Sequence, residues 1–281
     1  MRRVKTWEIS DGLWALAKEF LPSQEEMRDS AREYKRKSGA GRKAHYGARL
    51  YFAAIVYVLR TGCQWNALPR EKFEGVSSSG VHRRFRLWTR AGFFERLWDA
   101  GLAVYDEMEA SPGNGKPRTG RCKRCHLPVN PSVRIQRIGE KNGSKRHVLV
   151  DEHGIPLSLL VTAANVNDCT QLDALLAARR VQPPGEQEEN LCLDAGYTGK
   201  AEVAVRHGYI PHIHSRKAEA DAKAKHPERK AKRWIVELVH SWINRFKKIN
   251  PRHEKTDLSF LGLLQLAMSM IVLNKVMIIY G

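Results

Sequence analysis

The chain has 281 residues, and 48 Lys and Arg against 30 Asp and Glu leave it with a formal net charge of +18. That length suits one large domain or two modest ones, and the surplus of positive charge favours a polyanionic partner, nucleic acid before others. Five cysteines, at 63, 122, 125, 169 and 192, lack the regularity of a disulfide framework, and MRRVKTWEIS lacks the apolar core of a secretory signal, so a reducing cytoplasm is expected.

Residues 7–21 carry Trp7, Leu13, Trp14, Ala17, Phe20 and Leu21 at helical spacing, and Pro22 ends the pattern. Residues 28–46 are polar and basic and read as a loop. Residues 48–60, ARLYFAAIVYVLR, are compact and apolar, and Thr61-Gly62 stops the helix they predict. CQWNALP follows as an ordered turn. Ser77 to Ser79 offer N-caps for a helix opening at VHRRFRLWT, with Val81, Phe85 and Trp88 on one side and His82, Arg83, Arg84, Arg86 and Arg90 mostly on the other. Helix, turn, then an Arg-rich helix is the layout of a helix-turn-helix DNA reader; a solvated basic face on a small bundle would look the same. Phe93 to Tyr105 continues as a further amphipathic helix.

Residues 110–139 differ in kind. They hold seven basic residues, no acidic one, four prolines and four glycines, without a period of two or 3.6. Cys122-x-x-Cys125-His126 stands there without the second ligand pair that structural zinc needs.

From Lys145 an α/β register begins. HVLVD, a turn at Glu152-His153-Gly154, and IPLSLLVTAA predict a β-hairpin. Asn165 to Asp168 cap a helix over 169–180. NLCL is a short buried strand ending at Asp194, a helix covers about 199–207, and YIPHI is another strand. In RWIVELVHSWINRFKK, residues 233–248, Trp234, Leu238, Trp242, Phe246 and Ile249 mark a buried stripe widened by Ile235, Val239 and Ile243. Arg233, Glu237, His240, Asn244 and Lys247 run along the side. Leu258 to Tyr280 is apolar but interrupted by Gln265, Asn274 and Lys275, and is expected to be a buried helix packing the last domain rather than a membrane span.

A carboxylate at the C-terminal end of a buried strand projects into a sheet-edge crevice, where open α/β sheets bind ligands. Asp194 has that position; it is also where a turn-capping Asp would stand. Glu237 projects from a helix among cations; it could equally pair with Arg233 at i, i+4. Taken together, carboxylates from strand and helix can hold divalent ions for phosphoryl transfer, and hard oxygen ligands point to Mg²⁺.

The motifs GCQWNALP (62–69), VHRRFRLW (81–88), GSKRHVLVDEHGIPLSLLVTAANVND (143–168), LCLDAGYTG (191–199) and KRWIVELVHSWINRFKK (232–248) together resemble bacterial insertion-sequence transposases of the family called insertion sequence five. The resemblance covers nearly all of the chain except 110–139. It implies an α/β ribonuclease-H-like catalytic domain over 141–281, preceded by an all-α, helix-turn-helix-like DNA-binding region over 1–108, with 109–140 an aberrant stretch between them. It implies an Asp-Asp-Glu triad with Mg²⁺ (or Mn²⁺), Asp194 matching the second Asp and Glu237 the Glu. Arg233 matches the Arg four residues before the Glu. Asn244 stands where related elements often place a Lys contacting the terminal DNA, with Lys247 or Lys248 as stand-ins. The implied partners are double-stranded DNA, both terminal inverted repeats and target, and further copies of the chain in a homodimer or larger synaptic assembly, in the bacterial cytoplasm and with no membrane.

The first Asp of the triad should lie within 110–139, which holds neither Asp nor Glu. Asp106 belongs to the preceding helix and Asp151 to the hairpin turn. Writing Val133 to Gly139 as GTC CGA ATC CAA CGG ATC GGG and reading from one base earlier yields Gly-Pro-Asn-Pro-Thr-Asp-Arg. The same offset through Lys116 to Cys122, as AAG CCG AGG ACG GGG CGA TGC, yields Gln-Ala-Glu-Asp-Gly-Ala-Met. Two stretches of the family's pattern emerge in order in one alternative frame, so a frameshift is expected here.

Overall fold

The computed structural model describes residues 8–29, 46–110, 125–129, 143–181, 189–213 and 234–280. The chain forms two compact units, and both are discontinuous in sequence: Met1–Gly101 with Ile243–Asn274, and Leu102–Trp242 with Lys275–Gly281. Arg233 and the acid-free window, apart from Ala110 and 125–129, lie outside the described residues.

The first unit is helical. It contains α1 (Asp11–Glu19), α2 (Gln24–Asp29), α3 (Ala48–Thr61), α4 (Ser78–Arg90) and the start of α5 (Phe93–Ala110). The Ser10 hydroxyl caps α1 by accepting the Leu13 N–H. Gly62 ends α3 with φ +75°, its N–H bonded to the Val58 carbonyl at 2.9 Å, as the Thr61-Gly62 signal predicts. The Ser77 hydroxyl caps α4 by accepting the Gly80 N–H at 3.1 Å. Between α3 and α4, two 3₁₀ turns at Trp65–Ala67 and Arg70–Phe73 replace the three- or four-residue turn of a compact helix-turn-helix. Phe52, Phe85, Trp88, Phe93, Phe94, Leu97 and Trp98 form an aromatic-rich core.

The second unit carries a mixed five-stranded sheet in the order β3-β2-β1-β4-β5. Its strands are β1 (Cys125–Val129), β2 (Ser144–Val150), β3 (Pro156–Ala163), β4 (Glu189–Leu193) and β5 (Tyr209–Ile213). β2 pairs antiparallel with both neighbours, whereas β1–β4 and β4–β5 are parallel. The expected hairpin is therefore present as β2–β3. Its turn is held by Asp151, whose Oδ1 accepts the N–H groups of His153 (2.9 Å) and Ile155 (2.8 Å) and whose Oδ2 accepts the Tyr105 hydroxyl (2.8 Å). Two short helices, α6 (Leu172–Ala177) and α7 (Ala201–Arg206), fill the connections, each shorter than the sequence pattern predicts.

The stretch expected to be one helix from 233 to 248 becomes α8 (Trp234–Asn244), and Phe246 and Ile249 are buried beyond its end. The fully buried face is Ile235, Val236, Val239, His240 and Ile243, while Leu238 and Trp242 are half-buried. His240, expected beside Glu237 on the polar side, belongs to the buried face. The last helix, α9 (Asp257–Tyr280), is apolar on all sides. Its segment Asp257–Met277 is long and apolar enough to cross a membrane, yet 72% of that window is buried within the protein, as a core helix requires. Gly262 lets α9 approach α4: a Cβ there would meet the Thr89 side chain at 2.6 Å.

Candidate metal centre and nucleic-acid face

Because β2 is antiparallel to both β1 and β3, β3 runs in the same direction as β4. The segments leaving their C-terminal ends therefore share one edge of the sheet. Asp194 begins the turn after β4 as the cap of a 3₁₀ turn, Ala195–Tyr197, its Oδ1 accepting the Gly196 N–H at 2.9 Å. The side chain is otherwise exposed. After β3, Asn167 caps a 3₁₀ turn, Asp168–Gln171, and the Cys169 thiol donates to the Gly196 carbonyl at 2.6 Å, tying the two turns together.

Asp168, read from sequence only as part of a cap, is thereby brought to the Asp194 turn. Lys145 at the start of β2 sits 3.2 Å from Asp168 and donates to the Val166 carbonyl at 2.8 Å; His147 is 3.8 Å from the same carboxylate. Burial first, then the charges of Asp194 and Asp168, push the Cys169 thiol above its ordinary pKa. Burial, Asp168, Cys169 and Asp194 act the same way on the Tyr197 phenol. Only the strand order brings Asp168 there, so no local pattern could reveal it.

Glu237 lies in the first turn of α8 and is exposed. Gly154 of the hairpin turn would meet Trp242 at 3.1 Å and Val239 at 3.3 Å if it carried a Cβ, so those residues form the face of α8 that packs on the turn. They lie roughly 140° and 200° around the helix from Glu237, at about 100° per residue, which directs the carboxylate away from that contact. Ser241 and Asn244 share the Glu237 face at i+4 and i+7. No group of three or more His, Cys, Asp or Glu side chains among the described residues is arranged to hold a metal ion. Asp194 and Glu237 supply the hard carboxylate oxygens that Mg²⁺ or Mn²⁺ takes, but they do not make a complete site by themselves.

The expected DNA-contacting residues divide by environment. Arg83 and Arg86 of α4 are exposed. Arg84 is half-buried, its guanidinium 5.0 Å over the Tyr51 ring and 6.0 Å over Trp88, so it braces the unit as well as carrying charge. Arg90 is half-buried. Lys247 is exposed, but the Lys248 side chain is only 4% exposed and donates to the Cys63 carbonyl at 3.1 Å. Lys248 is thus an interior group rather than the open phosphate contact expected for it.

Residues 130–272 match the family described as "Transposase DDE domain", about half of the chain, and residues 9–98 match the one described as "Putative transposase of IS4/5 family". The chain belongs to the DDE transposases. Two relatives come from Burkholderia cepacia. The "Putative transposase for insertion sequence element IS402" is 32% identical over 149 residues, 50% of this chain and 62% of that protein. The "Insertion element IS402 uncharacterized 16.2 kDa protein" is 35% identical over 108 residues, 37% of this chain and 65% of that protein. This transposase-family chain therefore spans less than two thirds of the length of either relative. No solved structure matches it.

Proposed function

We propose that this chain is an insertion-sequence transposase that binds element ends and target DNA as double strands, and whose ribonuclease-H-like centre for cleavage and strand transfer lacks its first Asp. The observation that carries this reading is the sheet order β3-β2-β1-β4-β5, with β2 alone reversed and Asp194 following β4. In that frame Asp194 and Glu237 are the ligands of Mg²⁺ or Mn²⁺, and a divalent ion bound there supplies charge neutralisation at the scissile phosphate. Arg233, Asn244 and Lys247 offer contacts to the terminal DNA; Arg83, Arg84, Arg86 and Arg90 serve the helical DNA-binding region. A homodimer or larger assembly would bring two ends together.

The loss of the first Asp is supported by the strand that stands in its place. β1 reads CHLPV, and its parallel pairing sets Cys125 opposite Asn190 and His126 opposite Leu191. Continued three residues further, the register sets Val129 opposite Asp194, with no acid anywhere on the strand. Residues 99–129, between the two family matches, include most of the acid-free window. A frameshift there explains both facts. A second reading, a DNA-binding relic or regulator that occupies ends without cutting, rests on the same incomplete acid set.

Strand transfer on duplexes carrying the DNA that flanks the gene, with Mg²⁺ or Mn²⁺, separates these readings. The chain as it stands is expected to bind the duplex and to cut no faster than its Glu237→Gln variant. A version with the shifted frame restored through 116–139 is expected to cut. Cutting by the unaltered chain that Glu237→Gln abolishes would refute the loss of activity. A nucleotide sequence whose shifted frame lacks Gly-Pro-Asn-Pro-Thr-Asp-Arg would sink the frameshift.

A further inference from the structure

We propose that a cleft in the first unit, built on Trp65, His82, Lys248 and Glu254, takes up a single unpaired nucleotide of DNA. The cleft has a volume of about 780 Å³, within the range of small-ligand sites, and none of its lining residues is a candidate metal ligand. One wall comes from the GCQWNALP stretch and the start of α4, the other from 248–259.

The wall is aromatic. Trp65 lies nearly flat against His82, with ring centroids 4.7 Å apart and planes at 17°, and against Phe85 at 5.0 Å and 30°. It is also braced by ions. The Trp65 indole N–H donates to Glu254 Oε1 at 3.0 Å, and Lys248 Nζ lies 5.7 Å above the indole ring and 3.9 Å from the same carboxylate oxygen. The Lys248 and Glu254 side chains are 4% and 8% exposed. A charged pair held this far from solvent beside an open cleft is a built feature, since burying either ion alone is expensive. Burial, opposed by Glu254 and reinforced by Arg86 and Lys248, keeps the His82 pKa below its ordinary value. Arg86, His253 and Lys255 are exposed at the rim.

That combination fits a nucleotide part by part. A base stacks on the aromatic wall, the exposed Asn66 amide can bond its edge, and the rim cations take the flanking phosphates. A duplex, whose major groove alone is about 12 Å across, is too large for a cleft of this volume. An extruded or unpaired nucleotide is not. The inference rests on the DNA-binding reading above, and its test keeps the two apart.

The full chain is titrated with a fluorescent 30-base-pair duplex, the same duplex carrying one unpaired thymidine, and thymidine 5′-monophosphate. The unpaired-base duplex is expected to bind roughly tenfold more tightly than the paired one, the contribution of about one stacked base. Trp65→Leu keeps an apolar wall without the ring and should remove that preference while paired-duplex affinity stays within about twofold. Lys255→Ala, an exposed change that cannot unfold the unit, should weaken only the unpaired-base duplex, by about threefold for one phosphate contact. Equal affinity for the two duplexes, or a preference that survives both variants, overturns the proposal. So does competition by the mononucleotide at the concentration at which the duplex binds, which would make this a free-nucleotide site. Failure to bind even the paired duplex speaks against the DNA-binding reading itself.

Discussion

The Trp65 indole N–H donates to Glu254 Oε1 at 3.0 Å, joining side chains 189 residues apart in sequence. Glu254 also lies 3.9 Å from the buried Lys248 ammonium. Glu254→Ala leaves the half-buried Trp65 N–H without its acceptor and the buried Lys248 ammonium, still bonded to the Cys63 carbonyl, without its counter-charge, so a loss of about 1–3 kcal/mol is expected in urea unfolding. Glu254→Gln keeps a carbonyl oxygen for the indole and should lose less. Equal losses for the two variants would show that the charge, not the hydrogen bond, matters.

Gly262 and Thr89 mark the close approach of α9 and α4. Gly262→Ala forces a methyl to within 2.6 Å of the Thr89 side chain and should destabilise the protein by about 1–3 kcal/mol. Thr89→Ala opens that space. In the double variant the Gly262→Ala penalty should shrink markedly, which a thermal-melt double-mutant cycle would reveal. Additive losses would mean that the helices part rather than clash.

Asp151 makes stability depend on pH. Burial alone would raise its carboxyl, but the His153, Ile155 and Tyr105 hydrogen bonds outweigh burial and hold the pKa below the ordinary value. A depressed folded-state pKa stabilises above the unfolded value, about 3.9 for Asp, and that contribution fades as pH falls through the folded value. Asp151→Asn should therefore cost stability at pH 7, and the gap from the parent should narrow below about pH 4. Guanidinium unfolding at a series of pH values measures it; a gap that widens on acidification would contradict the assignment.

Asp194 and Glu237 are exposed, so Asp194→Asn and Glu237→Gln should each change the melting temperature by less than about 2 °C, as surface changes do. Mn²⁺ binding by calorimetry should be weak in the parent and absent from both variants. Retention of Mn²⁺ binding in Asp194→Asn would place the ion elsewhere.

Arg83 projects from α4 into solvent. Arg83→Ala should lower duplex affinity similarly on any sequence and reduce the salt slope of log K by about one phosphate contact. Arg84→Ala should additionally lower the melting temperature, because its guanidinium packs over Tyr51 and Trp88. A normal melt for Arg84→Ala would show that this packing contributes little.

Much of the local structure was written in short stretches of sequence. The Thr61-Gly62 stop, the Ser77 cap, the Asp151 hairpin turn and the strand delivering Asp194 were all legible, because each depends on residues within a few positions of one another. The motifs likewise identified a transposase family, and the composition showed a window, 110–139, without a single acid. Periodicity told that residues 233–248 bury one face, but not where the helix stops or what it packs on. The Lys248 N–H leaves the helical pattern to bond the Leu59 carbonyl at 3.2 Å, and Gly62 lies so close that a Cβ would sit 2.7 Å from Lys247 Cβ. These contacts end α8 at Asn244, draw the Lys248 side chain inside, and gather 243–274 into one compact unit with the N-terminal helices. In the same way, only the order of the strands set Asp168 beside the Asp194 turn. Residues far apart in sequence leave no mark on each other's local pattern, so the sequence by itself determined which groups could act, and the tertiary structure decided which of them meet.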